Sequence, residues 1–318
     1  MKNIYSNIKR INKKSIFNTV NYLKKNNIVG LPTETVYGIA GNAYSKKALK
    51  SIYKLKKRPK KNPLIIHYFS INEIKNDVEI NFVFQKLYKK FCPGPITFVL
   101  KKKKKSKIHK LATANLDTVA IRFPAHKQTR KILRKLKFPL AMPSANISSG
   151  LSPVSALDVH KEFKNKVKII LNGGKSKIGI ESTVIDLSNK IKILRPGILT
   201  KNDIKSFLKK NISFSKSDKI KAPGNIRKHY SPGIPIKLNS KRSYGNHAFI
   251  TFGKKFRRGK HSFNLSEKSD LKEIARNLYK TLRKIKELRY RKIYIVKIPN
   301  KGIGIAINDR LKRASKYK

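Results

Sequence analysis

The stretch Leu31-Pro32-Thr33-Glu34-Thr35-Val36-Tyr37-Gly38 decides how this chain reads, because the apolar run Ile28-Val29-Gly30-Leu31 ends there in a turn dense with hydroxyls. A strand that stops in such a turn delivers polar side chains to whatever cavity lies at its end. Three downstream segments repeat the arrangement. They are Lys56-Lys57-Arg58-Pro59 leading into Asn62-Pro63-Leu64, then Thr118-Val119-Ala120-Ile121-Arg122-Phe123-Pro124, then Pro143-Ser144-Ala145-Asn146 running on to Ser152-Pro153. Hydroxyls, amides and cations with few carboxylates and no cysteine cluster suit a pocket for an anionic nucleotide better than one for a metal or a covalent nucleophile.

Helical and strand-like patterns alternate outward from that turn. Ile16, Val20 and Leu23 recur at helical spacing, in a helix expected to start near Ser15. Ser45 can cap a helix striped by Ala48, Ile52 and Leu55, with Pro59 as its stop, so Lys56 and Arg58 emerge at its C-terminal end. At a helix end, rather than in a core, replacing either cation should barely alter stability. Phe84, Leu87, Tyr88 and Phe91 stripe another helix, and strands are expected at 64–69, 96–100, 118–123, 138–142, 167–171, 183–187 and 191–195. The mixture predicts one α/β or α+β domain over 1–210, ending in a helix capped by Thr200 with Asp203. Residues 211–235 lose periodicity and read as a linker. Over 236–318, the strand Ala248–Phe252, a long helix capped by Asp270 and striped by Leu271, Ile274, Leu278, Leu282, Ile285 and Leu288, the strand Ile293–Val296 and a last helix predict a small α/β domain with a parallel sheet.

With 318 residues and 39% hydrophobic content the chain is long and apolar enough for two cores. It has no apolar run of the roughly 18 residues that a membrane helix needs. The single cysteine, Cys92, excludes an internal disulfide framework, fits a reducing compartment and reads as a small packed group. Met1 to Lys14 is basic without an apolar core, unlike a secretory signal. Lys plus Arg number 77 against 16 Asp plus Glu, a net charge of +61. A nucleic-acid interface would explain that excess, but the lysines are spread along the whole chain, which favours compositional drift. Weak, nonspecific RNA or tRNA affinity follows either way.

Gly173-Gly174-Lys175-Ser176 imitates a phosphate loop, but the first glycine of that pattern would fall on Ile169. No Cys-x-x-Cys or His-Glu-x-x-His string is present, so no protein-bound metal site is expected. Glu34, Glu181 and Asp186, among the few acids, read as structural.

At the four segments above the chain resembles the YrdC family, specifically its longer two-domain threonylcarbamoyl-AMP synthases. The resemblance continues through Gly179-Ile180-Glu181-Ser182-Thr183-Val184, Leu194-Arg195-Pro196-Gly197, Ala222-Pro223-Gly224 with His229-Tyr230-Ser231-Pro232, and Gly304-Ile305-Ala306-Ile307-Asn308-Asp309-Arg310-Leu311. It implies a YrdC-like twisted sheet enclosing a basic cavity, with a Rossmann-like C-terminal domain. The activity implied is cytoplasmic synthesis of L-threonylcarbamoyl-AMP from L-threonine, bicarbonate and ATP. ATP enters as a substrate with Mg2+ carried on its phosphates, and the product passes to a tRNA threonylcarbamoyltransferase complex. The alternative is an inactive or RNA-binding protein of the same fold.

Carried over residue by residue, the resemblance makes Lys56 and Arg58 the catalytic cations. It places ATP against Arg58, Asn62, Thr118, Ser144, Ser152, Arg195 and Tyr230, the last as part of a lid formed by residues 222–232 around Arg227 and His229. L-Threonine falls against Thr35, His67, Arg122, Met142 and Ser182. A buried Arg122 needs an anionic partner, and the resemblance supplies the substrate carboxylate. The chain departs from the family pattern at Met142, at Gly150, one place late, and at Val154.

Overall fold

A computed structural model describes residues 5–215, 229–256 and 259–316. Strand β1 (Ile8–Arg10) leads into helix α1 (Lys13–Lys24), which begins ahead of Ser15. The cause is a capping box: the Asn12 side chain accepts from Ser15 N at 2.8 Å and Asn12 N donates to Ser15 Oγ at 3.0 Å. Strands β2 (Val29–Leu31) and β3 (Gly38–Asn42) pair antiparallel across the Thr-rich turn. Ser45 caps α2 (Lys46–Lys56) as expected, but Pro59 does not end it. Lys57 ends it by taking the left-handed conformation, φ 49°, so that Arg58 N turns back onto the Tyr53 carbonyl at 3.0 Å.

The chain continues through β4 (Ile65–His67), α3 (Phe82–Phe91), β5 (Ile96–Lys101), α4 (Lys110–Thr113), β6 (Thr118–Arg122), α5 (Lys127–Arg134) and β7 (Leu140–Ala141). Next come α6 (Ala156–Phe163), β8 (Ile170–Asn172), β9 (Thr183–Asp186), β10 (Lys192–Arg195), α7 (Lys201–Leu208) and β11 (Ser213–Phe214). The strands form one mixed sheet in the order β1-β8-β2-β3-β7-β4-β6-β5-β9-β10-β11. Its edge strand β11 lies beyond residue 210, where loss of periodicity had given no strand. Tyr68, Phe84, Phe98 and Phe123 anchor the largest core, with Phe84 edge-on to Phe98 at 5.0 Å. Each buried side chain of this size contributes about 1.5–3 kcal/mol. Ile16, Val20 and Leu23 pack with Ile132 and Leu133 in a separate core, joining α1 to α5.

The C-terminal unit is parallel, as its element order predicts. Strands β12 (Ile236–Lys237), β13 (Ala248–Thr251), β14 (Ser262–Asn264) and β15 (Ile293–Ile295) lie in the order β12-β15-β13-β14, with helices α8 (Leu271–Glu287) and α9 (Gly304–Ser315). Asp270 caps α8, and Ile274, Leu278, Leu282 and Ile285 form its buried stripe. Leu288, assigned to that stripe from sequence, sits at the C-cap and is exposed.

Helix α8 also seals the two units together. Val36, Leu151, Val154, Ile180 and Tyr230 share one core with Ile274, Ala275, Leu278 and Tyr279. Gly179, at φ +84°, lies so close to α8 that a Cβ there would stand 2.5 Å from the Arg276 Cα. Among the described residues no helix is long and apolar enough to cross a membrane.

Candidate active site

Strand direction alone brings four of the expected residues to one edge of the large sheet. β4 and β6 run parallel with His67 opposite Arg122, each the last residue of its strand. β5 runs antiparallel to β6, placing Thr97 beside Arg122, and parallel to β9, so Ser182 and Thr183 start at that same edge. β10 returns antiparallel and ends there at Arg195. Thr118 starts β6 and pairs with Lys101, so it lies at the opposite end, about 13 Å of strand away from Arg122. The structure does not bring Thr118 to this edge.

A pocket opens at the edge, lined by Thr33, Val36, Tyr37, Gly38, Arg58, Ile65, His67, Arg122, Met142, Pro143, Ser144, Glu181, Arg195, His229 and Tyr230. Of the candidate residues, Arg58, His67, Arg122, Met142, Ser144, Arg195 and Tyr230 line this one pocket. Five other candidates stand buried outside that lining. Lys56 Nζ donates to the carbonyls of Ser144, at 2.5 Å, and Asn146. Thr35 Oγ1 pairs with Thr33 Oγ1 at 2.8 Å, leaving Thr33 as the lining threonine. Ser182 Oγ pairs with Thr97 Oγ1 at 2.7 Å and accepts from Arg195 at 3.1 Å. Ser152 donates to Glu181 at 2.5 Å. The backbone carbonyl of Asn62 accepts from Arg58 Nε at 3.0 Å, while its buried side-chain amide has no partner among the described residues.

The sequence reading puts Lys56 and Arg58 at a helix end outside the core, and both are buried. Arg58 is held by the carbonyls of Asn62 and Pro63, the second at 2.7 Å. Burial lowers its pKa to about 10, and burial next to Arg58 holds Lys56 well below its ordinary value. Arg122 has a protein counter-ion: its NH2 meets Glu34 Oε1 at 2.6 Å, and Glu34 Oε2 accepts from Ala125 N at 3.0 Å. Its Nε remains without a partner among the described residues.

Thr33, Tyr37 and Glu181 line the pocket and were not singled out as contact residues from sequence, and His229, named there as part of the lid, lines it too. Glu181 was named in the Gly179–Val184 motif but read as structural, and two of its partners, Tyr279 and Arg310, lie far along the chain. Of the expected lid, His229 and Tyr230 are described and buried in the pocket wall, whereas Ala222, Pro223, Gly224 and Arg227 lie outside the described residues.

Burial, with Arg122 next in effect, holds His67 well below its usual range, and burial lowers His229 to about 3. A neutral-only histidine stabilises the fold above its unfolded pKa of about 6.5, and that contribution is lost as pH falls from there toward the folded value. The stability gap between the wild type and His229→Gln should therefore narrow from pH 7 to pH 5, by up to about 1.4 kcal/mol per pH unit. Urea melts at both pH values measure it, and a gap indifferent to pH would show that His229 is not held neutral.

Residues 21–197 match the Sua5/YciO/YrdC family, described as "Telomere recombination". The chain belongs to this family. Residues 199–316 match the domain described as "Threonylcarbamoyl-AMP synthase, C-terminal domain", so it is a two-domain member. The threonylcarbamoyl-AMP synthase of Pyrococcus abyssi is 37% identical over 317 residues, 93% of each chain. That of Bacillus subtilis is 32% identical over 315 residues, 92% of this chain and 90% of its own. The crystal structure of P. abyssi Sua5 complexed with L-threonine superposes with a TM-score of 0.89 at 34% identity, covering 98% of this chain and 96% of that one.

Proposed function

We infer that this chain is a nucleotidyltransferase that makes L-threonylcarbamoyl-AMP from L-threonine, bicarbonate and ATP, releasing pyrophosphate, for threonylcarbamoyladenosine formation in tRNA. One observation carries the reading: buried Arg58, Arg122 and Arg195 converge on a pocket whose walls hold orphaned polar atoms, in a chain of this family. Groups without a partner among the described residues, such as Arg122 Nε and Tyr230 Oη, are costly unless a polar ligand meets them.

In this reading Arg122, His67, Met142 and Ser182, with the Thr33–Thr35 hydroxyl pair, face L-threonine. Arg58, Arg195, Ser144, Asn62, Ser152 and Tyr230 serve ATP, whose phosphates carry Mg2+, and Thr118 contributes at most from the far end of β6. The threonine amine captures carbon dioxide with loss of a proton, or bicarbonate with loss of water, as a carbamate, and a carbamate oxygen displaces pyrophosphate at the α-phosphorus. No protein nucleophile is needed. Positioning and charge neutralisation supply the rate. Lys56 acts by fixing the Ser144–Asn146 loop through its two carbonyls.

With His229 and Tyr230 in the wall the cavity measures about 50 Å³, below the roughly 300–1,000 Å³ of ligand pockets. ATP must displace that wall, which supports a lid. Residues 1–210 then form the catalytic unit, 211–235 the linker and lid, and 236–318 the unit that braces them. The product goes to a tRNA threonylcarbamoyltransferase complex, and RNA binding is weak and nonspecific. Incubation with labelled bicarbonate, threonine and ATP should yield labelled adenylate and pyrophosphate dependent on both cosubstrates. Pyrophosphate release indifferent to threonine would remove the assignment, and no adenylate at all would favour an inactive or RNA-binding protein.

A further inference from the structure

The Glu181 carboxylate lies in the wall of a pocket otherwise charged by Arg58, Arg122 and Arg195. Its second-domain partners are specific. Arg310 of α9 donates through Nε to Glu181 Oε2 at 3.0 Å, and the Tyr279 hydroxyl of α8 lies 3.1 Å from both carboxylate oxygens. Arg310 is 1% exposed and is anchored by the Pro196 carbonyl at 2.5 Å and Asp309 at 3.1 Å. Its guanidinium also lies 5.3 Å from the centre of the Tyr230 ring, which stacks on Tyr279 at 6.0 Å. Arg195, by contrast, donates to the carbonyl and hydroxyl of Ser182 and forms no ion pair closer than 4 Å with a described carboxylate.

Glu181 thus has two arginines within electrostatic reach, and only Arg310 is bonded to it. We propose that Arg310 is a positioning residue: by neutralising Glu181 it leaves the Arg195 guanidinium for the nucleotide phosphates, so the second domain sets ATP affinity. The proposal rests on the ATP pocket inferred above. Without Arg310, Glu181 would keep only its hydroxyl donors, Ser152 and Tyr279, and would present an uncompensated charge to the triphosphate or capture Arg195 as its counter-ion. Either outcome weakens ATP binding and leaves the threonine end, at His67 and Arg122, largely intact.

The burial of Glu181 works in the same direction. Burial alone would push its carboxyl up, and Arg310, then Arg195 and the Ser152 hydroxyl, more than offset this, leaving the group below its usual range. The acid is therefore charged at neutral pH, and its charge must be masked.

Calorimetric titration of the full chain with ATP, and separately with L-threonine, tests the coupling. Arg310→Met should weaken ATP binding by roughly 5- to 150-fold, the usual span of coupling between sites, and change threonine affinity by less than about a third of that. Arg310→Lys, which keeps a charge near Glu181, should fall between Arg310→Met and the wild type, and covers the case in which Arg310→Met does not fold. Adding Glu181→Gln to Arg310→Met should recover most of the lost ATP affinity, because no carboxylate is left to repel phosphate or bind Arg195. A purely structural arginine predicts the reverse, with the double variant as weak as the single one or weaker, and that result overturns the proposal. Equal ATP affinity in the wild type and Arg310→Met overturns it too. A wild type that binds no ATP at all would instead remove the underlying functional reading.

Discussion

Arg58→Ala is expected to lower turnover by roughly 10²- to 10³-fold, the usual effect of removing one preorganised electrostatic donor. Arg58 lines the pocket with its fork already set: Nε and NH2 are tied to the Asn62 and Pro63 carbonyls, so the guanidinium is held at the pocket wall before any ligand arrives. The left-handed Lys57 that ends α2 aims the chain this way. Stability should also fall, by about 1–3 kcal/mol, because the buried Pro63 carbonyl loses its donor while the Asn62 carbonyl keeps only the Tyr53 hydroxyl. That departs from the sequence-based expectation of a nearly unchanged fold. Arg58→Lys should recover only part of the rate, since an ammonium cannot hold both carbonyls and also grip phosphate bidentately. Pyrophosphate release and urea melts on the same preparations separate the two effects. Near-normal turnover in Arg58→Ala would sink the role, and a loss of stability alone would make Arg58 a structural clamp.

What the sequence made legible follows from how local each signal is. Ser45, Thr200 and Asp270 were readable as caps because a cap is decided within four residues. Helix α5 escaped because Lys127–Arg134 buries only Thr129, Ile132 and Leu133, too few apolar positions to show a stripe. β1 and β11 escaped as short strands at the sheet edges, and β3 because Gly38–Asn42 buries small residues instead of alternating.

The site shows the same division. Arg122 stood out because an arginine on a strand is expensive to bury without an anion, whereas Lys56, Arg58 and Arg195 were named by resemblance alone. Which threonine would line the pocket did not, because the Thr33–Val36 turn breaks the period-2 rule and hides Thr35 behind Thr33. Resemblance named Thr118, but strand register places it a full strand from Arg122. The counter-ions were the least legible part. Glu34 reaches Arg122 across 88 residues and Glu181 reaches Arg310 across 129, and no local pattern encodes such pairings.

That hidden pairing of Arg122 leads to the largest stability effect. Glu34→Gln should cost about 3–5 kcal/mol, the loss typical of breaking one side of a buried ion pair. Both side chains are nearly inaccessible, at 5% and 10% exposure, so water cannot replace the lost carboxylate. The glutamine can still accept from Ala125 N, but Arg122 is left as an uncompensated charge at the pocket. If L-threonine places its carboxylate on Arg122, it supplies that missing charge, and bound ligand stabilises the native state by mass action. L-Threonine should therefore raise the melting temperature of Glu34→Gln more than that of the wild type. Arg122→Ala should show the opposite pattern, with threonine affinity weakened by about 2–5 kcal/mol and little thermal response to the amino acid. A Glu34→Gln protein that melts with the wild type would mean the pair is hydrated and carries little energy. An Arg122→Ala protein with a wild-type response to threonine would move the substrate carboxylate elsewhere in the pocket, with Arg58 and Arg195 the other cations on its wall.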